Sequence, residues 1–296
     1  MILFIIGLTN VYCQDSLRFK SPPEINKARL VTTIVAEGVA SAGIASYLQF
    51  IWYKGHQRVP FHFDNDNKAY LQCDKFGHVW GAYMESYIGY KLLRGAGVKK
   101  NPALLYGGTL GLILQAPIEI FDGIYDGWGF SWGDMVANAT GSCLLLGQEL
   151  LFDKQVLTYK LSYHASPYQL SSSGHQITAP IKRLFDYNCQ TYWLSIPLKK
   201  IVPVSKIPAW LGLSLGYSGT GMLGKYENIT SYNGIPVPYA DRYRKYLLSL
   251  DIDWTKIKTN SKFLRALLDC MFFIKLPFPA LEFNSLGRVK GHLLYY

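Results

Sequence analysis

The sequence predicts an α+β protein: an apolar bundle of about four helices followed by a small antiparallel β-rich part. From Leu30 to Phe152, long apolar stretches are punctuated by glycines and short polar turns, with acids, amides and a histidine at helical spacing. Beyond Tyr187 the period drops to two: Leu211, Leu213, Leu215 and Tyr217 alternate with Gly212, Ser214, Gly216 and Ser218. Between these regions, Asp153 to Lys182 is polar, Ser-rich and poor in helix formers. The expected organisation is a signal peptide over 1–14, a helical bundle domain over 15–152, a linker over 153–182 and a membrane-associated β-rich domain over 183–296.

Composition bounds the function class. The 296 residues can bury a sizeable core, yet charged residues are 17% and aromatics 15%, and mean hydropathy is slightly positive at +0.07. That profile is membrane-associated. The net charge of +10 is spread singly among apolar runs and forms no stripe for a phosphate backbone, which excludes nucleic acid and favours an anionic lipid surface. The five cysteines show neither a CxxC pair nor metal-ligand spacing, so most are expected as buried free thiols.

Taken in order, Ile2 to Leu8 is the apolar core of a short secretory signal that lacks a basic start, and Cys13 is where a lipoprotein signal would place its acylated residue, although Asn10-Val11-Tyr12 is a poor lipobox. Leu30 to Tyr53 is long enough to cross a bilayer, with small residues in its middle that let another helix approach; Glu37 fits this only inside a bundle. Asp74 opens a helix to about Gly95 that puts Asp74, His78 and Glu85 on one face. The next helix runs from about Pro102 to Phe121, with a kink expected at Pro117. A Gly- and aromatic-rich loop leads into a helix from Asp134 to Phe152. Strands follow around Tyr192–Leu198, Leu211–Tyr217 and Leu248–Trp254, then a helix over Phe263–Leu276 and a last strand or two to Tyr296. Four to six strands are visible, and a closed single-chain membrane barrel needs about eight or more. A small sheet packed on the bundle, or lying on a membrane, fits that count.

The candidate site is a set of ionisable and amide groups in apolar surroundings: Asp74, Lys75, His78, Glu85, Glu119, Asp122, Asp134 and Asn138. Isolated there, each charge would cost several kcal/mol, so they are expected to meet one another or an ion. One reading makes them structural, with Asp74 and Asp134 near helix starts and Asn138 and His78 as interhelical links. A second makes His78 and Glu119 an acid/base pair, or His78, Glu119 and Asp134 the ligands of a divalent metal. A third is a lipid head-group pocket lined by Trp80, Trp128 and Trp132 with Lys75. There is no GxSxG, HExxH, phosphate loop or CxxC. No cofactor is expected, a divalent metal being the one candidate.

The order Asp74-Lys75-x-x-His78, then Glu119 in an apolar helix, then Asp134-x-x-Ala137-Asn138-x-x-Gly141 resembles the VanZ-like membrane proteins. The runs Gln115-x-Pro117-Ile118-Glu119-Ile120-Phe121-Asp122-Gly123 and Gly127-Trp128-Gly129-x-Ser131-Trp132-Gly133-Asp134 resemble the YfiM-type family, and Tyr187–Leu198 with Tyr246–Lys256 resembles the C-terminal part of its long Bacteroidota members. These resemblances imply a cell-envelope location, periplasmic or at the outer membrane, and no established reaction. The expected function is a non-catalytic outer-membrane-associated protein whose partner is membrane lipid or another membrane protein. The alternatives are an enzyme on a lipid or cell-wall substrate centred on His78 and Glu119, and an assembly or transport subunit that pairs its sheet with another barrel.

Overall fold

The computed structural model describes residues 24–166, 186–202, 206–232, 235–236 and 239–296. The expected signal peptide with Cys13 and the Ser-rich part of the expected linker lie outside these residues. The architecture is α+β, with helices preceding an antiparallel sheet of six strands. The described residues divide into two compact units: a helical unit made of 24–66, His78–Gln155 and Lys258–Cys270, and a β unit made of Asn67–Gly77, the described part of Val156–Ile257, and Met271–Tyr296. Each unit thus borrows a segment from the other's expected territory.

In the helical unit, α1 (Lys27–Tyr47) is capped by Asn26, whose side chain accepts from Arg29 N–H. Only Thr33 of α1 is buried; Ile34, Val35 and Val39 are exposed. The span Lys27–Trp52, and also Lys100–Asp122, is long and apolar enough to cross a membrane. Helix α2 (Cys73–Gly95) contributes all but its first turn to this unit. The single helix expected over Pro102–Phe121 is two, α3 (Lys100–Tyr106) and α4 (Leu110–Asp122). The break falls at Gly107, where the chain lies against Gly89 of α2 so closely that a Cβ would overlap its backbone, while Pro117 sits inside α4 without ending it. Helix α5 (Trp132–Phe152) is capped by Ser131.

Close backbone approach holds these helices together. A Cβ on Gly111 would overlap the Ala82 carbonyl, and one on Gly141 the Val79 carbonyl, so only glycine admits α4 and α5 to α2 at these points. Where they cross, the hydroxyls of Ser86 and Ser142 stand 2.9 Å apart and accept from the N–H groups of Gly111 (3.0 Å) and Leu112 (3.1 Å). Those are first-turn donors that α4 cannot satisfy from within itself.

In the β unit, β1 (Thr158–Tyr163), β2 (Gln190–Pro197), β3 (Leu211–Thr220), β4 (Tyr243–Ile252), β5 (Phe278–Asn284) and β6 (Val289–Tyr295) pair in chain order as an antiparallel meander. Strand β1 falls inside the stretch expected as a linker, because its alternation of Tyr159, Leu161 and Tyr163 with Lys160 and Ser162 is too short to stand out from a polar surround. Helix α6 (Lys262–Cys270) covers the first part of the helix expected over Phe263–Leu276, which ends in a tight turn at Met271–Phe273. The four cysteines among the described residues are free thiols.

The register places polar groups inside. Thr158, Ser195, Ser214, Ser249 and Ala280 form one row across five strands, all buried. In phase with that row are Lys160, Asp251 and Glu282, each buried to within a few per cent. Lys160 Nζ pairs with Asp251 at 2.8 Å and donates to the Ile252 carbonyl at 2.6 Å, and Lys275 Nζ lies 4.6 Å from the Trp193 ring centre. The opposite phase is apolar: Leu194, Leu215, Leu248 and Leu281 form one row, and Tyr217, Tyr246, Phe283 and Val289 the next. Phe76 stacks on Tyr217 at 4.3 Å and covers part of this face. Elsewhere it is open, with Leu215 61%, Tyr246 48% and Phe283 45% exposed. Trp193 on β2 reaches Tyr295 on β6 with ring centres 5.9 Å apart, so the sheet curls around its polar side.

Candidate functional site

Of the eight polar residues singled out in the sequence, four converge in the helical unit: His78, Glu119, Asp134 and Asn138. His78 projects from α2, Glu119 from the last turns of α4, and Asp134 and Asn138 from successive turns of one face of α5. His78 Nδ1 lies 3.0 Å from Asn138 Oδ1. That oxygen only accepts, so Nδ1 is the donor and Nε2 is turned the other way. There it faces Asp134 Oδ1 at 3.6 Å and Glu119 Oε1 at 3.7 Å. The Glu119 and Asp134 side chains are almost wholly buried, and that of His78 keeps 15% exposure, which makes the imidazole the accessible wall of the cluster.

The local sequence holds each carboxylate in place. Ser131 caps α5: its hydroxyl accepts from Asp134 N–H at 3.1 Å and donates to Asp66 at 2.6 Å. Its own N–H approaches Glu119 Oε2 at 3.4 Å, leaving Oε1 toward His78. Asp134 sits in the first turn of α5, where the unpaired N–H groups favour negative charge. The pattern Ser131-x-x-Asp134 ahead of an apolar run is a capping signal readable in the sequence. Asp66 has no comparable signature.

Each of the other four has partners outside this group. Asp74 and Lys75 belong to the β unit, where they pair at 3.1 Å and Asp74 also accepts from the Tyr187 hydroxyl. Asp122 accepts from Tyr53, whose ring stacks on Tyr125. Glu85 accepts from Gln115 at 3.1 Å; burial pushes its carboxyl up to about 8, with the Gln115 bond opposing. Helical periodicity put Asp74, His78 and Glu85 on one face but could not show that each finds a different partner. The expected head-group pocket is also divided, since Trp128 packs with Trp52, Tyr53 and His56 while Trp132 packs with Phe63 and Phe130.

Chemically, the cluster sets one imidazole nitrogen within 3.7 Å of two buried carboxylates.

Residues 62–147 match the family described as "Predicted periplasmic lipoprotein (DUF2279)". The matched stretch contains His78, Glu119, Asp134, Asn138, Ser131 and Asp66. The description is consistent with a cell-envelope location and agrees with the uncharacterised periplasmic family implied by the sequence; it carries neither the YfiM nor the VanZ name. No curated protein and no solved structure matches this chain.

Proposed function

We propose that this chain is a non-catalytic cell-envelope protein, associated with the outer membrane, that seats the apolar face of its β sheet in lipid. The observation that supports this reading is the inversion of the β unit: its hydroxyls and ion pairs are buried while its leucine and aromatic rows are open. In water, exposing contiguous apolar rows and burying Lys160 with Asp251 is doubly unfavourable. In lipid, the outward face needs no polar partner, and sheets that contact lipid alternate apolar-out and polar-in.

The rows at Tyr217, Leu215, Leu213 and Leu211 are spaced by two residues, so the apolar band extends about 20 Å along a strand. That depth suits insertion into about one leaflet of a hydrocarbon core about 30 Å thick. Six strands suffice for such a seat, whereas spanning as a closed barrel takes about eight. The exposed apolar α1 supplies a second attachment. The YfiM-type likeness and the periplasmic description of the matched family favour the same compartment.

Fractionation tests the reading. The full chain is expected to stay with carbonate-washed membranes and to need detergent for release; recovery in the soluble fraction would contradict it.

A further inference from the structure

We infer that α6 is an interfacial helix that lays Phe263, Leu264 and Leu267 into a lipid surface carrying anionic head groups. The inference rests on the membrane seating proposed above and names the class of lipid and the segment that selects it. The sequence of α6 sets the pattern: Phe263, Leu264, Leu267 and Leu268 recur at i, i+1, i+4 and i+5 on one face, while Arg265 and Asp269 fall on the other. Ser261 starts the helix, its carbonyl accepting from Arg265 N–H at 2.9 Å and its hydroxyl from Leu264 N–H at 3.3 Å.

The fold turns that pattern outward. Of the four apolar residues only Leu268 is buried; Phe263 is 76% exposed, and Leu264 and Leu267 are exposed beside it. On the polar side, burial raises the Asp269 carboxyl, with Arg265 and Lys91 of α2 opposing. A surface helix in water turns its apolar stripe the other way, toward the core. Charge selects the occupant. From Lys258 to Leu268 the sequence has three Lys or Arg and no Asp or Glu, and cations beside an exposed apolar helix face suit anionic head groups.

The place of α6 in the helical unit agrees. The end of α2 meets both α6 and α1: Lys91 acts on Asp269, the Gly95 carbonyl accepts from the Arg29 side chain at 3.3 Å, and the Ala96 carbonyl accepts from Asn26 N–H at 3.0 Å. Helix α6 thus ends near the level at which α1 passes from Asn26, Lys27 and Arg29 into its exposed apolar run. Such a change from charged to apolar marks a membrane–water boundary, and an interfacial helix lies there with its apolar face sunk about 5–10 Å.

Nitroxide labels at 263 and 267, with one at 215 on the sheet as a reference, test this in the full chain with Cys143 and Cys270 changed to Ala. The chain is reconstituted in phosphatidylcholine vesicles with or without phosphatidylglycerol. With phosphatidylglycerol, 263 and 267 should be rich in oxygen collisions and shielded from a nickel chelate. Without it, or in about 1 M salt, where the screening length falls to about 3 Å, nickel access at both should rise severalfold. Lys258→Glu combined with Arg265→Glu should produce the same rise and leave 215 shielded. Nickel access at 263 and 267 equal to that of a loop site in both lipids would overturn the inference; with 215 still shielded the sheet seating stands, and with 215 also open both fall. Equal shielding in the two lipids would overturn the selection of anionic lipid. Shielding seen only in native envelope fragments, and never in vesicles, would give the face to a protein partner and overturn the inference. The comparison of the two lipids decides by itself if the double variant fails to fold.

Discussion

The helical unit and the β unit both keep charged and hydroxylated groups inside, but at different scales. In the helices, polarity is local: Glu119, Asp134 and Asn138 gather around His78, and Ser86 meets Ser142, within otherwise apolar helix contacts. In the sheet, hydroxyls and ion-paired groups run along one phase of the pleat beside the buried Trp193, Leu247 and Tyr295, and apolar side chains dominate the other. A local polar knot inside apolar helices is compatible with water or lipid outside. A sheet turned inside out is what the proposed seating in lipid would favour.

The largest effect that would sharpen this contrast is expected from Lys160→Met. It leaves the Asp251 carboxylate in the sheet interior without its 2.8 Å partner, and breaking a buried pair in this way costs about 3–5 kcal/mol. Urea unfolding of the detergent-solubilised chain measures it, and a loss below about 1 kcal/mol would mean that water reaches the interior. Next, Leu215→Arg on the outer face should destabilise the lipid-bound chain by about 2–4 kcal/mol. If that face meets water, the change should stay within about 0.5 kcal/mol, as surface substitutions do. Unfolding in lipid vesicles separates the two.

In the helical unit, Gly141→Ala should lower stability by about 1–3 kcal/mol through overlap with α2. Gly147→Ala, where a Cβ meets nothing within 4 Å, should stabilise by about 0.5–1 kcal/mol. Paired thermal melts provide the check. A last test concerns pH. Because burial raises the Glu85 carboxyl to about 8, the folded chain holds a proton there that the unfolded chain releases near pH 4.5. Stability should therefore fall as pH rises across that window and level off above about 8. Glu85→Gln should flatten the slope, and a melting profile identical to wild type between pH 5 and 8 would refute the assignment.

Much of this architecture was legible in the sequence. The period of two through Leu211–Tyr217 and Leu248–Trp254 marks strands whatever solvent surrounds them, and the helical spacing of Asp134, Asn138 and Gly141 marks one face of α5. Alternation alone does not say which phase is buried, since water and lipid select opposite answers; the buried row Ser195–Ser214–Ser249 decides it. In the candidate site, His78, Glu119, Asp134 and Asn138 stood out as polar groups in apolar runs. The other partners of Asp74, Glu85 and Asp122 are Tyr187, Gln115 and Tyr53, which are distant in sequence and ordinary in type. The break at Gly107 was hidden because Pro117 is the louder local signal, while the close contact with Gly89 is a tertiary fact.

Lipid contact of the sheet is tested most directly by nitroxide labels placed one at a time along β3 and β4 in the vesicle-bound chain, reading collision with oxygen against a water-soluble nickel chelate. Positions 213, 215, 248 and 250 should be oxygen-rich and shielded from nickel, with a period of two against 214 and 249. Nickel access at 215 and 248 equal to that of a loop site would contradict the account.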